Sequence, residues 1–316
     1  MSQACSLLHL AGEVDREYTM MDYEGALARW CPGCGDHSVL TAVQRLLAQE
    51  QLKPEETVFV SGIGCSSRFP HYVKTYGFHG IHGRALTIST GIKLHRPELN
   101  VFAVMGDGDC LSIGAAHWIH SVRYNVNMVA LLLDNNVYGL TKNQTSPTSP
   151  QGTKSNTQPQ GAWLPPMNPL TATLGVSNVS FLAQTAEWIP SHLFATLKAA
   201  FNHRGFSFVR VVQRCPAYLP KLYEEAIANP DAVELLVHPD GLEAKDLEGV
   251  YKNRVRHDPK DLDAARRFAE DDTVVRLGIF FKDGSRPVYE DTRKLPKLTA
   301  GERLQELEKE FDRHAV

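Results

Sequence analysis

Residues 101–144 read VFAVMGDGDCLSIGAAHWIHSVRYNVNMVALLLDNNVYGLTKNQ, and this stretch leaves the chain little freedom in how it folds. Two short apolar runs, 101–105 and 129–133, each break abruptly into turn residues. The first enters Gly-Asp-Gly-Asp and the second enters Asp-Asn-Asn. Uninterrupted apolar runs bounded by such signals read as strands buried on both faces. The residues between them have helical spacing, so the unit is strand–helix–strand. A crossover of that kind makes the two strands parallel, with both C-terminal ends on one edge of the sheet. That edge is where open α/β sheets take their ligands.

The residues at that edge have a definite chemistry. Magnesium wants six oxygens and usually takes only a few from protein, the rest from phosphates and water. Asp107 offers a carboxylate after the first strand. Asn135 offers a side-chain oxygen after the second, and the backbone carbonyl of Val137 offers a third ligand. Gly106 and Gly108 let the backbone approach a phosphate, and Gly108 opens a helix whose N-terminal amides favour a diphosphate. A lone Gly-Asp-Gly is common in ordinary surface turns. Followed by Asn-Asn, each after an apolar strand, it is far more specific, and a magnesium–diphosphate site is expected.

Composition bounds the rest. The 316 residues are 43% hydrophobic and 22% charged, which is ordinary for a globular chain. A formal net charge of −3 gives no electrostatic reason to expect a nucleic acid or an anionic membrane as partner. Residues 1–18 carry no basic run and their apolar stretch is broken by His9, so no signal peptide is expected. The longest apolar run, 126–133, is too short to span a bilayer. A cytoplasmic chain is the expectation.

In such a compartment clustered cysteines point to metal or redox work rather than disulfides. Cys31 and Cys34 form a C-x-x-C in a Pro/Gly loop, while Cys65 and Cys215 each follow a strand. All four belong at the ligand edge, where four thiolates suit either a 4Fe–4S cluster or a structural zinc. One pair with two scattered singles favours the cluster, since zinc ribbons usually show two pairs. Cys5, in a leader of mixed character (1–29), reads as free, and Cys110 reads as a small buried apolar residue.

Along the chain, helices are expected at 37–49 (capped by Asp36 or Ser38), 85–94, 169–174, 191–202 and 299–314. Strands are expected at 57–60, 179–185 and 206–213, and residues 66–84 read as loop. Residues 145–169, rich in Pro, Ser, Thr and Gly, suit either a flexible linker or an ordered active-site loop. Their position favours the latter. Beyond about 224 the sequence turns heavily charged, with one apolar run at 273–281, and is expected to be an appendage for packing or subunit contact.

With both constellations on the page, the chain resembles the β subunit of the 2-oxoacid:ferredoxin oxidoreductases, most closely the 2-oxoglutarate branch. The matching pieces are WCPGCG at 30–35, GIGCSSR at 62–68, HGR at 82–84, TGIKL at 90–94, GDGD at 106–109, LDNNVYGLTKNQTSPT at 133–148 and RCP at 214–216. The resemblance implies an α/β, parallel-sheet thiamine-diphosphate-binding fold with a charged C-terminal extension. It would divide into the leader 1–29, a cofactor and cluster domain 30–225, and the extension 226–316. It implies a 4Fe–4S cluster on Cys31, Cys34, Cys65 and Cys215, and magnesium on Asp107, Asn135 and the Val137 carbonyl. Gly64, Cys65, Ser66, His82, Gly106, Gly108, Asp109, Tyr138, Gly139, Leu140 and Thr141 would line the thiamine diphosphate.

Arg68, Lys142 and Gln144 lie where the family places substrate or coenzyme A contacts, and a guanidinium at Arg68 suits a second carboxylate. Of the loop histidines His71, His79 and His82, the last is the acid–base candidate to test. The implied partners are an α subunit, which supplies the acid that activates the thiamine, and ferredoxin. The implied reaction is reversible oxidation of 2-oxoglutarate to succinyl-CoA and carbon dioxide. Pyruvate or another 2-oxoacid remains an alternative substrate, as does a non-redox thiamine-dependent decarboxylase or synthase with a four-cysteine zinc.

Overall fold

The computed structural model describes residues 17–292 and 298–314; Cys5 lies outside them. The first half of the chain supplies α1 (Asp36–Gln49), β1 (Thr57–Ser61), β2 (Tyr76–His79), α2 (Ala85–His95), β3 (Asn100–Gly106), α3 (Ala115–Tyr124) and β4 (Met128–Asp134). A two-residue ribbon follows, β5 (Val137–Tyr138) with β6 (Gln144–Thr145), then α4 (Pro169–Leu174), β7 (Phe181–Ala186), α5 (Pro190–Phe201) and β8 (Phe206–Val212). The remainder is α6 (Glu224–Ala228), β9 (Val233–Val237), β10 (Arg254–Arg256), α7 (Leu262–Glu270), β11 (Val275–Lys282), α8 (Tyr289–Thr292) and α9 (Ala300–His314).

Nine strands form one sheet in the order β10-β9-β11-β7-β8-β4-β3-β1-β2, parallel throughout except where β11 runs antiparallel to β7. β4 shows why the apolar runs are continuous: all seven of its residues are buried. Met128, Ala130 and Leu132 pack with Leu86, Trp118, Val122 and Leu174 on one face, under α2, α3 and α4. Val129, Leu131 and Leu133 pack with Val43, Leu47, Leu193 and Leu197 on the other, under α1 and α5. A strand covered on both sides has no polar face to show in its sequence.

Several expectations give way here. The described part of the leader is anchored at Tyr23, which is fully buried; its hydroxyl donates to the carbonyl of Leu52 at 2.6 Å and lies 3.1 Å from that of Leu47. Neither expected cap of α1 is made. Gly35 takes that position, while Asp36 is buried and accepts from Gln213 Nε2 at 3.2 Å, and Ser38 Oγ donates to Glu187. Residues 66–84 contain the edge strand β2, whose Tyr-Gly-Phe-His is exposed throughout and so carries no burial pattern. The charged segment after 225 adds β9, β10 and β11 to the same sheet. Its salt bridges, such as Arg276 to Glu234 and Asp271, allow charged residues to sit in and beside strands.

Candidate active site

Parallel register brings four strand ends together. β1 pairs with β3, β3 with β4 and β4 with β8, with Gly106 opposite Leu133 and Asp134 opposite Val212. The loops holding Cys65, Asp107, Asn135 and Cys215 therefore leave one edge of the sheet side by side. Among them opens a cavity of about 230 Å³. Gly64, Cys65, Ser66, His82, Gly106, Asp107, Gly108, Asp109, Asn135, Val137, Tyr138, Gly139, Leu140, Thr141 and Gln144 line it, together with Ile63. Arg68 and Lys142 are not on its wall.

Asp107 is buried, and burial together with the neighbouring Asp134 carboxylate holds its acid well above the usual carboxylate range. Its Oδ2 accepts from Ser146 Oγ and from Thr148 Oγ1, the latter at 2.7 Å. Both donors come from residues 145–168, which form an ordered loop. Gly152 N donates to Ala162 O, Met167 N to Pro147 O and Asn156 N to Asn143 O. Sequence reasoning placed this loop at the site but missed Ser146 and Thr148. In a stretch full of hydroxyls nothing distinguishes the two that reach a buried carboxylate. Asn135 is oriented by the Val137 amide, which donates to its Oδ1 at 3.2 Å.

Asp109 lies at the start of a π-helical turn, Asp109–Ile113, that precedes α3 where an unbroken helix was expected from Gly108. Its Oδ1 accepts from Gly83 N at 2.7 Å and Ile63 N at 3.1 Å, and lies 2.8 Å from His82 Nδ1. Oδ2 is buried without a hydrogen-bond partner. Burial raises the acid, against the pull of the two amides and of His82. Gly62 must lack a side chain here, since a Cβ on it would stand 2.1 Å from Asp109 Oδ2.

The Tyr138 ring covers Gly108, where a Cβ would meet it at 2.0 Å, and its hydroxyl donates to Gly108 O at 3.3 Å. Gly108 thus makes room for an aromatic wall as well as for any phosphate. On the far side, the sulfurs of both Cys65 and Cys215 lie within 4 Å of where a Cβ on Gly139 would sit. Cys31 and Cys34 share a tight turn through Gly33, at φ +78°, with Cys34 N donating to Cys31 O. Burial pushes the Cys65 thiol up to about 12, helped by Asp36 and by Cys215 and Cys31. Burial and Asp36 raise Cys34 too, with a smaller contribution from Cys65. Among the described residues no three His, Cys, Asp or Glu side chains are gathered tightly enough to hold a metal ion.

The residues nevertheless fit what the sequence implies. The buried Asp107 carboxylate lacks a cationic side chain within ion-pair distance among the described residues, and burial, Asp36 and neighbouring cysteines push the pKa of the Cys34 and Cys65 thiols up. A cation at either place reverses both penalties. Arg68 stacks 5.6 Å over Tyr72 and reaches Arg29 O at 3.4 Å, outside the cavity. Lys142 is exposed on a left-handed turn at φ +75°. His79 is bonded to Ser67 O and Ser61 Oγ, and His71 packs against it; neither lines the cavity.

Comparison with known proteins fits this geometry. The family described as thiamine pyrophosphate enzyme, C-terminal TPP binding domain, matches residues 62–211. The 2-oxoglutarate oxidoreductase subunit KorB of Mycobacterium tuberculosis is 40% identical over 301 residues, spanning 86% of this chain and 79% of that one. The 2-oxoacid:ferredoxin oxidoreductase 1 subunit beta of Aeropyrum pernix is 36% identical over 262 residues, spanning 83% and 80%. This chain belongs to the 2-oxoacid:ferredoxin oxidoreductase β subunits. The 2-oxoglutarate:ferredoxin oxidoreductase from Magnetococcus marinus, solved with 2-oxoglutarate, coenzyme A and succinyl-CoA bound, aligns over 95% of this β subunit and 93% of its own chain. It does so with a TM-score of 0.77 and 32% identity. As a β subunit of this family, the chain is part of a thiamine-dependent oxidoreductase. Among the described residues no helix is long and apolar enough to cross a membrane.

Proposed function

We propose that this β subunit, joined to an α subunit, forms a 2-oxoglutarate:ferredoxin oxidoreductase. The reaction is reversible: 2-oxoglutarate and coenzyme A give succinyl-CoA, carbon dioxide and a proton, ferredoxin takes the two electrons, and a 4Fe–4S cluster would supply one-electron carriage between them. One observation carries the reading. Cys65 and Gly139 line the same cavity as Asp107 and Asn135, and the sulfurs of Cys65 and Cys215 stand against Gly139. A place for electrons and a place for a cation–diphosphate thus share one wall. The names of the relatives and the ligands of the solved neighbour support 2-oxoglutarate and coenzyme A as substrates.

Each residue has a role in this reading. Asp107, Asn135 and the Val137 carbonyl would hold magnesium, which would supply positive charge for the diphosphate. Gly106 and Gly108 would give backbone access to that diphosphate, while Tyr138, Leu140 and Thr141 would flank the cofactor. Thiamine diphosphate supplies, when bound, the carbanion and electron sink that decarboxylation needs. Cys31, Cys34, Cys65 and Cys215 would hold the cluster, which would supply one-electron redox chemistry. Gln144 would meet substrate or coenzyme A from the cavity wall, while Arg68 and Lys142, off that wall, would have to reach in from outside it, Arg68 offering a bidentate partner for the second carboxylate.

The test is reconstitution with the α subunit and a panel of 2-oxoacids. The expected outcome is dye reduction dependent on coenzyme A and greatest with 2-oxoglutarate, and brown protein absorbing near roughly 400 nm. Cys31→Ser should abolish both colour and reduction. Activity that survives that change removes the cluster from the path, and a colourless zinc protein points to a non-redox thiamine decarboxylase or synthase. Preference for pyruvate would reassign the substrate.

A further inference from the structure

We propose that Asp109 is a positioning residue. It holds His82 in its Nδ1–H tautomer, so that Nε2 faces the cavity and takes the proton of the acyl-accepting thiol. The thiol's identity rests on the functional reading above; the geometry stands on its own. His82 Nδ1 is buried and lies 2.8 Å from Asp109 Oδ1, at hydrogen-bond distance but without the alignment of a full hydrogen bond. A bare nitrogen lone pair facing a carboxylate oxygen at that distance is repulsive, so Nδ1 carries the proton and Nε2 is the acceptor. The side chain is 32% exposed and lines the cavity. With Nδ1 buried, that exposure belongs to the other side of the ring.

The carboxylate is itself fixed. Its Oδ1 accepts from the amides of Ile63 and Gly83, so it ties the loops after β1 and β2 to the end of β3. An orienting carboxylate behind an imidazole is the arrangement that fixes a tautomer and stabilises the ring once it is protonated. Ligand chemistry then selects the partner. An ionised 2-oxoacid brings only acceptors to its reacting end, whereas the thiol brings a donor. The S–H bond breaks, an N–H bond forms at Nε2, and Asp109 stands against the resulting positive ring. The sulfur keeps the electron pair as a nucleophile, and no electron is transferred.

The test uses the complete complex with ¹⁵N-histidine in the β subunit. The wild-type His82 signal should report Nδ1–H, and Asp109→Asn should move it toward Nε2–H. A wild-type Nε2–H signal overturns the proposal without any variant. In kinetics, His82→Gln and Asp109→Asn should each lower coenzyme-A-dependent turnover by about 10²-fold. The double variant should be no worse than either. Reduction driven by 2-oxoglutarate alone, before coenzyme A is added, should fall by a clearly smaller factor than the coenzyme-A-dependent turnover. Equal loss in both halves of the reaction, or additive losses, overturns it. Should Asp109→Asn fail to fold, His82→Gln and the wild-type spectrum still decide. If the wild-type complex reduces nothing with any 2-oxoacid, the functional reading fails while the tautomer result stands separately.

Discussion

Strands β3 and β4 end side by side, and each delivers a buried aspartate to the same edge, yet the two carboxylates are treated oppositely. Asp134 is closed. Arg210 meets its Oδ2 at 2.7 Å, Asn136 N and Thr148 Oγ1 donate to its Oδ1, and Arg210 is steadied in turn by Gln184 at 3.0 Å. Asp107 has hydroxyls for partners, Ser146 and Thr148. Thr148 stands 2.7 Å from both carboxylates, and its one proton serves only one of them at a time. A charge paired within the chain belongs to the fold. A charge left beside it without a cation belongs to something the fold receives.

The largest effect should come from opening the closed side. Arg210→Leu leaves Asp134 buried and unpaired, and should cost about 3–5 kcal/mol in urea or thermal unfolding. A loss below about 1 kcal/mol would break the contrast. Next, Asp107→Asn should leave the unliganded chain as stable as the parent or slightly more so. It should also remove the stabilisation by magnesium plus thiamine diphosphate, about 2.7 kcal/mol at a hundred times Kd. Melting curves with and without the pair check this.

The closed interior should also set the acid limit. His192 is buried with Nδ1 2.9 Å from Thr185 Oγ1, and burial lowers its pKa from 6.5 to about 4. The unfolded chain therefore takes up the proton more readily between those values. Stability present above 6.5 should fall as pH drops toward 4, by about 2 kcal/mol at about pH 5, and His192→Gln should flatten that limb. Smallest, Ser146→Ala should weaken magnesium binding by about tenfold. An unchanged affinity would leave Thr148 as the only hydroxyl that matters.

What the sequence showed depended on whether the signal was local. β3 and β4 stand out because burial on both faces makes their apolar runs continuous, and the Gly-Asp-Gly and Asp-Asn-Asn that follow are legible where those runs stop. β2 was hidden because its residues face solvent and only hydrogen-bond pairing with β1 makes them a strand. The roles of Ser146 and Thr148 depend on a loop folding back across some forty residues, and no spacing rule encodes that. Asp109 was legible as a pocket residue. Its grip on Ile63, Gly83 and His82 was not, since three separate loops meet there.

The adjacency of β1, β3, β4 and β8 acts as a ruler. Each step between neighbouring strands is about 4.8 Å, and hydrogen bonds along several residues hold it. The spacing of the points from which the Cys65, Asp107 and Asn135 loops leave the sheet is therefore set by the backbone ladder. Insertions far along the connecting loops can recolour the mouth of the cavity, but they leave the spacing of those loop origins untouched.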